Sequence, residues 1–200
     1  MKLFLVRHGE TDWNKLGKCQ GISDVPLNSN GVKQAQDLAY SLRNEKLNAI
    51  YSSDLSRAIT TANEVAKYHS VEVIMDERFR EMDQGDFEGL EFGYLRENYP
   101  DILKEWREKS ETLRIPGGET LSEVQERAWT GLNNLLNRYN GKSVLLVSHN
   151  MTIITLLCKF SKKSLLSFRE FLVHESSKSV ISFHNDMFEI EVLNDISHLK

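Results

Sequence analysis

The sequence predicts an α/β domain, a three-layer α/β/α sandwich with a mostly parallel central sheet and an antiparallel edge strand. Three observations predict it. Short apolar runs recur at 2–6, 48–51, 71–75 and 143–147, and a brief, unbroken, β-prone run reads as a strand buried on both faces. Helical patterns lie between these runs, and strand–helix alternation builds parallel sheets. Two later stretches, 179–184 and 187–193, joined around Asn185-Asp186, read as a closing hairpin that supplies the antiparallel edge.

Each helix carries its own signal. Residues 31–43 set Val32, Ala35, Leu38, Ala39 and Leu42 at helical spacing, with Asn28 as the N-cap. Residues 55–68 follow, with Ser53 or Asp54 available as the cap. The longest helix spans 120–139 and stops at Asn140-Gly141, as a C-cap would stop it. A fourth, 150–160, follows its strand directly. Trp106 and Trp129 lie on amphipathic stretches and read as packing residues. Residues 85–118 fit the alternation least: they hold short amphipathic pieces and a Pro116-Gly117-Gly118 loop. We read them as an insertion over the crevice that caps the substrate, because long inserted segments commonly govern access.

Two hundred residues suit a single domain, 1–200. An apolar fraction of 40% and a charged fraction of 27% describe an ordinary globule. A net charge of −4 argues against nucleic acid as the main partner. It leaves room for a local cationic pocket that takes a small anion. No run reaches the roughly 18 apolar residues of a membrane span, and the opening run is too short for a signal peptide. Cys19 and Cys158 have no metal-style spacing, so reduced thiols and a cytoplasmic location are expected. Cys19 is expected near the pocket, with nothing to make it reactive.

The chemistry concentrates where the strands end. In α/β sheets ligands gather beyond the carboxyl ends of strands. The first strand delivers Arg7 and His8, with Gly9 letting the backbone crowd a ligand. The second loop puts Arg57 in the opening turn of a helix, whose N-terminus adds positive potential. The third offers Glu81, and the fourth repeats the first design with His149. Two arginine forks and two histidines suit a tetrahedral oxyanion. Arginines beside His8, His149 and Glu81 would repel a divalent cation, so no metal is expected. Glu10 and Asp12 read as turn or surface residues, and His69, His174, His184 and His198 as surface or edge histidines.

The chain resembles the histidine phosphatase superfamily, the group that includes cofactor-dependent phosphoglycerate mutase. LVRHGETDWN (5–14), QGISDVPLNSNGVKQA (20–35), YSSDLSRAITTA (51–62), REMDQGDFEGL (80–90), PGGET (116–120) and LLVSHN (145–150) follow the family's order. LNDISHL (193–199) resembles a C-terminus found among its phosphatases. The resemblance implies that His8 becomes a transient phosphohistidine while Arg7, Arg57 and His149 grip the phosphoryl oxygens. Glu81 would protonate the leaving oxygen and then help activate water. Asn14, Gln20, Gly21 and Ser23 match the block that lines the phosphate and substrate side of the pocket.

The chemistry of the residues agrees with those roles. Nearby arginines favour a neutral His8 by like-charge repulsion, and a backbone carbonyl near Gly9 would fix its reactive tautomer. Glu81 can donate a proton if desolvation or an anionic substrate raises its pKa. Two positions depart from the family pattern. Asn150 replaces a usual glycine and its amide can contact phosphate; Asn28 replaces a threonine, and either caps a helix. The region 106–119 lacks the paired arginines and proline run of the mutases, so hydrolysis of a small phosphate monoester without a cofactor is expected. A mutase is the alternative, and a silent phosphate-binding module the weaker one. The identity of the ester and the oligomeric state are not written in these motifs.

Overall fold

The computed structural model describes residues 1–185 and 187–199. Six strands form one sheet: β1 (Lys2–Arg7), β2 (Ala49–Ser52), β3 (Val73–Met75), β4 (Ser143–Ser148), β5 (Lys178–His184) and β6 (Met187–Asp195), in the order β3-β2-β4-β1-β5-β6. β3, β2, β4 and β1 pair in parallel. β5 runs antiparallel to both β1 and β6, so the hairpin forms one edge of the sheet. Asn185 in its turn adopts a left-handed φ of 49°, while Asp186, the other expected turn residue, lies outside the described residues.

Consecutive residues of one strand serve two cores. Leu3 and Leu5 of β1, with Val144 and Leu146 of β4, face one side; Phe4, Val6, Leu145 and Val147 face the other. That is the physical reason for the unbroken apolar runs: successive side chains point to opposite faces, and both faces are covered. Helices α2 (Ser29–Leu42) and α3 (Ser56–Ala66) cover the second face through Leu38, Ala39, Ala58 and Ala62. On the first face lie α6 (Leu121–Arg138) and α7 (Asn150–Phe160), through Val124, Leu132, Ile153 and Leu157.

Most caps follow the sequence. The Asn28 side chain accepts from Gly31 N–H, and Thr120 with Glu123 forms a capping box at the start of α6. The start of α3 differs from expectation. Its N-cap is Leu55, which has no side-chain cap; the free Ser56 N–H instead donates to Asp24 Oδ1 at 2.8 Å, and the Asp54 carboxylate is held by Arg80. A carboxylate distant in sequence has taken the capping role. Gly9 also differs in its reason for being glycine. A Cβ there would meet Gly31 O at 2.4 Å, so the constraint is close backbone packing on α2 and not crowding of a ligand.

Three helical pieces arise that the sequence reading left unassigned: α1 (Asp12–Lys15), capped reciprocally by Thr11 and Asn14, and α4 (Phe92–Asn98) with α5 (Pro100–Lys109) within 85–118. A 3-10 turn at Leu165–Glu170 follows α7. Among the described residues no helix is long and apolar enough to cross a membrane.

Candidate active site

Parallel pairing of β1 with β4 sets Arg7 opposite Ser148, so the residues that follow, His8 and His149, leave the sheet side by side. Their ring centroids are 5.0 Å apart. His8 N–H donates to Ser148 O at 3.1 Å and stitches the two strand ends together. The His8 Nδ1 lies 2.6 Å from Gly9 O. A carbonyl can only accept, so Nδ1 carries the proton and Nε2 keeps its lone pair. Burial pushes the His8 pKa well below the usual imidazole range, and the charges of Arg57 and Arg7 push it further, against the opposing bond to Gly9 O. The ring is therefore a neutral base at neutral pH.

Arg57 is fully buried in the first turn of α3. Its Nη1 donates to Ser23 O and its Nη2 to Gly21 O, both at 2.7 Å. Its Nε donates to His149 Nδ1 at 3.3 Å. With the Gln20 carboxamide turned so that its nitrogen faces Thr11 Oγ1, the Gln20 oxygen accepts from Arg57 Nε at 2.9 Å. Burial lowers the Arg57 pKa to about 10, which leaves it charged at neutral pH. Because His149 accepts at Nδ1, its proton resides on Nε2. That Nε2 is buried and has no partner among the described residues; the same holds for Arg7 Nε. Burial first and Arg57 second drive the His149 pKa well below the usual imidazole range. Arg7 is otherwise held by Val173 O (2.7 Å) and by the Glu175 carboxylate (2.8 Å).

Glu81 is nearly inaccessible, and its carboxylate meets the start of α7, accepting from Met151 N–H at 3.1 Å and Thr152 N–H at 3.3 Å as well as from Met82 N–H at 2.8 Å. Burial raises its pKa, while these backbone donors and the two arginines pull the other way. The net direction is upward, as a general acid requires.

Arg7, His8 and Glu81 share the wall of one cavity of about 240 Å³ with Asn14, Gln20 and Asn150. Gly21 and Ser23 are not in that wall; their carbonyls hold Arg57 from behind, and Glu88 accepts from Ser23 N–H at 2.8 Å. Cys19 does line the cavity, but burial pushes its thiol up to about 12, so it stays protonated. Glu10 serves the turn, accepting from Asn28 Nδ2 at 2.8 Å. Trp106 packs edge-on against Phe168, as its amphipathic setting suggests, and also faces the cavity. His69, His174, His184 and His198 are outside the cavity wall. Among the described residues no cluster of His, Cys, Asp or Glu is arranged to hold a metal ion.

A family model described as histidine phosphatase superfamily (branch 1) matches residues 3–196. The chain belongs to that superfamily. Curated relatives include phosphoserine phosphatase 1 of Hydrogenobacter thermophilus, 36% identical over 100% of this chain and 94% of that one. Phosphoglycerate mutase-like protein 4 of Arabidopsis thaliana is 35% identical over 100% of this chain and 87% of its own. Among solved structures, Bacillus stearothermophilus YhfR superposes with a TM-score of 0.92 at 31% identity, covering 100% of this chain and 99% of that one. A mycobacterial glucosyl-3-phosphoglycerate phosphatase complexed with VO3 gives 0.89 at 28% identity, covering 96% and 98%. This histidine phosphatase is thus a phosphoric monoester hydrolase by family and by neighbours.

Sequence reasoning missed the supports of the site. Glu88, Glu175 and the pair Glu119–Arg127 hold the segments that carry the candidate site residues. Glu88 and the Glu119–Arg127 pair act on backbone and Glu175 on the Arg7 guanidinium, each from a distant segment, and no local spacing signals that.

Proposed function

We propose that the protein hydrolyses a small phosphate monoester in two steps through a phosphohistidine on His8. In the first, His8 Nε2 attacks phosphorus, the ester P–O bond breaks, and the Glu81 carboxylic acid gives its proton to the leaving alkoxide. In the second, water attacks the phosphohistidine, Glu81 takes the water's proton, the P–N bond breaks, and inorganic phosphate leaves. We assign Arg7, Arg57 and His149 Nε2–H to the equatorial phosphoryl oxygens, whose charge they would stabilise, the main demand of phosphoryl transfer; Arg57 and His149 lie behind the cavity wall that Arg7 and His8 form.

One observation carries this reading: His8 is fixed as the Nδ1–H tautomer by Gly9 O, with buried donors of Arg7 and His149 left unpaired beside it. An unpaired buried donor is costly unless a ligand oxygen satisfies it. Asn14, Gln20 and Asn150 are assigned to substrate contact, and the insertion 85–118 to capping the ester, since Phe87, Phe92 and Ile115 contribute to the same cavity. The volume is below the roughly 300–1,000 Å³ of sites for drug-sized ligands, in keeping with a small metabolite. Two free, buried cysteines favour a cytoplasmic setting.

Rapid-quench labelling with ³²P-phenyl phosphate tests the mechanism. An acid-labile, base-stable phosphoenzyme is expected in the wild type with chelator present, and none in His8→Ala. Turnover without that intermediate, or turnover abolished by chelation, overturns the proposal. With 3-phosphoglycerate and a bisphosphorylated primer in place of phenyl phosphate, an isomerised product instead of free phosphate would identify a mutase.

A further inference from the structure

Resting on that phosphatase reading, we infer that the alcohol half of the ester is an apolar or aromatic group. The apolar part of the cavity wall includes Leu103 and Trp106 of α5, Phe92 of α4, Ile115, Met151 of α7 and Phe168 of the 3-10 turn. Six apolar side chains from five segments thus line the cavity that must also take the leaving group. The polar members of the wall, Asn14, Gln20, Glu81 and Asn150, are those assigned to the phosphoryl group and proton transfer. Gln84 is neutral.

Positive charge is sparse in this wall beside its apolar side chains. A carboxylate beside the ester loses water on entering and needs a positive partner in return. Only Arg7 and Lys18 supply positive charge to this wall among the described residues. Arg7 has its Nη1 on Val173 O and its Nη2 on the Glu175 carboxylate, and its free Nε is claimed by the phosphoryl group. Lys18 is the one cation of this wall left to partner a carboxylate: its bridge with Glu91 is between backbones, and its ammonium makes no ion pair among the described residues. The Glu81 carboxyl adds a group that repels a second anion once ionised. An aryl or alkyl group meets none of these costs, and the ring of Trp106, set edge-on to Phe168 at 5.9 Å, offers it a face.

The test compares kcat/KM for methyl, ethyl, propyl, butyl and phenyl phosphate with that for phosphoserine and 3-phosphoglycerate. Each added methylene is expected to raise kcat/KM about fourfold until the cavity is filled. Phenyl and butyl phosphate are expected to exceed both carboxylate-bearing esters at least tenfold. Phe92→Ser, at a side chain already 52% exposed, should raise KM for phenyl phosphate by a larger factor than KM for methyl phosphate. Trp106→Ala should do the same more strongly. A flat alkyl series, or phosphoserine or 3-phosphoglycerate as the better substrate, overturns the inference while leaving the phosphatase mechanism standing. Absence of turnover and of phosphoenzyme with every ester overturns both.

Discussion

Arg127 and Glu119 form a two-pronged ion pair, Nε to Oε1 at 2.8 Å and Nη2 to Oε2 at 2.9 Å, that clamps the backbone carrying Glu81. The remaining guanidinium donors go to the carbonyls of Arg78, Arg80 and Glu81, at 2.8, 2.8 and 2.9 Å. Glu119 Oε2 also accepts from Asp83 N–H at 2.9 Å, so both partners grip the same loop. The pair thus positions the proposed acid from a helix on the other side of the loop. Only the planar fork of arginine satisfies all five acceptor atoms at once.

Arg127→Lys keeps the charge and loses the fork. Misplacement of a reacting group by about 1 Å costs on the order of 10²-fold in rate. The expected outcome is a fall in kcat of about 10–100-fold with KM nearly unchanged. The basic limb of the pH–rate profile should also move, because the Glu81 surroundings change. A variant that loses thermal stability yet keeps both kcat and the profile would show a purely structural clamp.

Glu81→Gln removes the proton donor and preserves the shape. General acid help is worth about 10²–10⁴-fold, so hydrolysis of an alkyl phosphate should slow by that factor. An aryl ester with a strongly acidic phenol leaves without protonation, and its phosphorylation of His8 should slow by only a few-fold. Equal losses for both leaving groups in single-turnover measurements would remove Glu81 from proton transfer.

The two buried histidines tie stability to pH. Each is held neutral, with a folded-state pKa below the unfolded value. Below about pH 6.5 the unfolded chain binds protons that the folded one refuses. Their stabilisation is therefore full above that value and is lost as pH falls towards the folded pKa, by up to about 1.4 kcal/mol per pH unit for each histidine. Glu81 opposes this: its raised pKa adds stability that is present at low pH and lost as pH rises through its folded value. Denaturant midpoints measured from about pH 7.5 to 5.5 should fall for the wild type, with a shallower fall for His149→Asn. An equal slope in the variant would mean that His149 titrates normally in the fold.

Much of this was legible in particular residues. Phe4, Leu5 and Val6 in succession announce a strand covered on both faces, and both cores claim them. Asn28 and Thr120 cap the helices they precede because capping is a short-range bond. The carbonyl that fixes the His8 tautomer belongs to the next residue, so it too was readable. The cap of α3 was not, since Asp24 reaches it from another loop while the nearer Asp54 is drawn off by Arg80. Gly21 and Ser23 fall beside the substrate-lining residues in sequence, yet it is their carbonyls, turned to Arg57, that matter.

Order along the chain was enough to nominate the proposed reacting groups and the strands that deliver them, because most strand ends and caps, and the His8 tautomer, are settled by bonds a few residues long. Which donors stay unpaired, what holds the acid in place and how apolar the far wall becomes were decided only when distant segments met. Those properties depend on burial and on shared partners, and a linear chain has neither until it is packed.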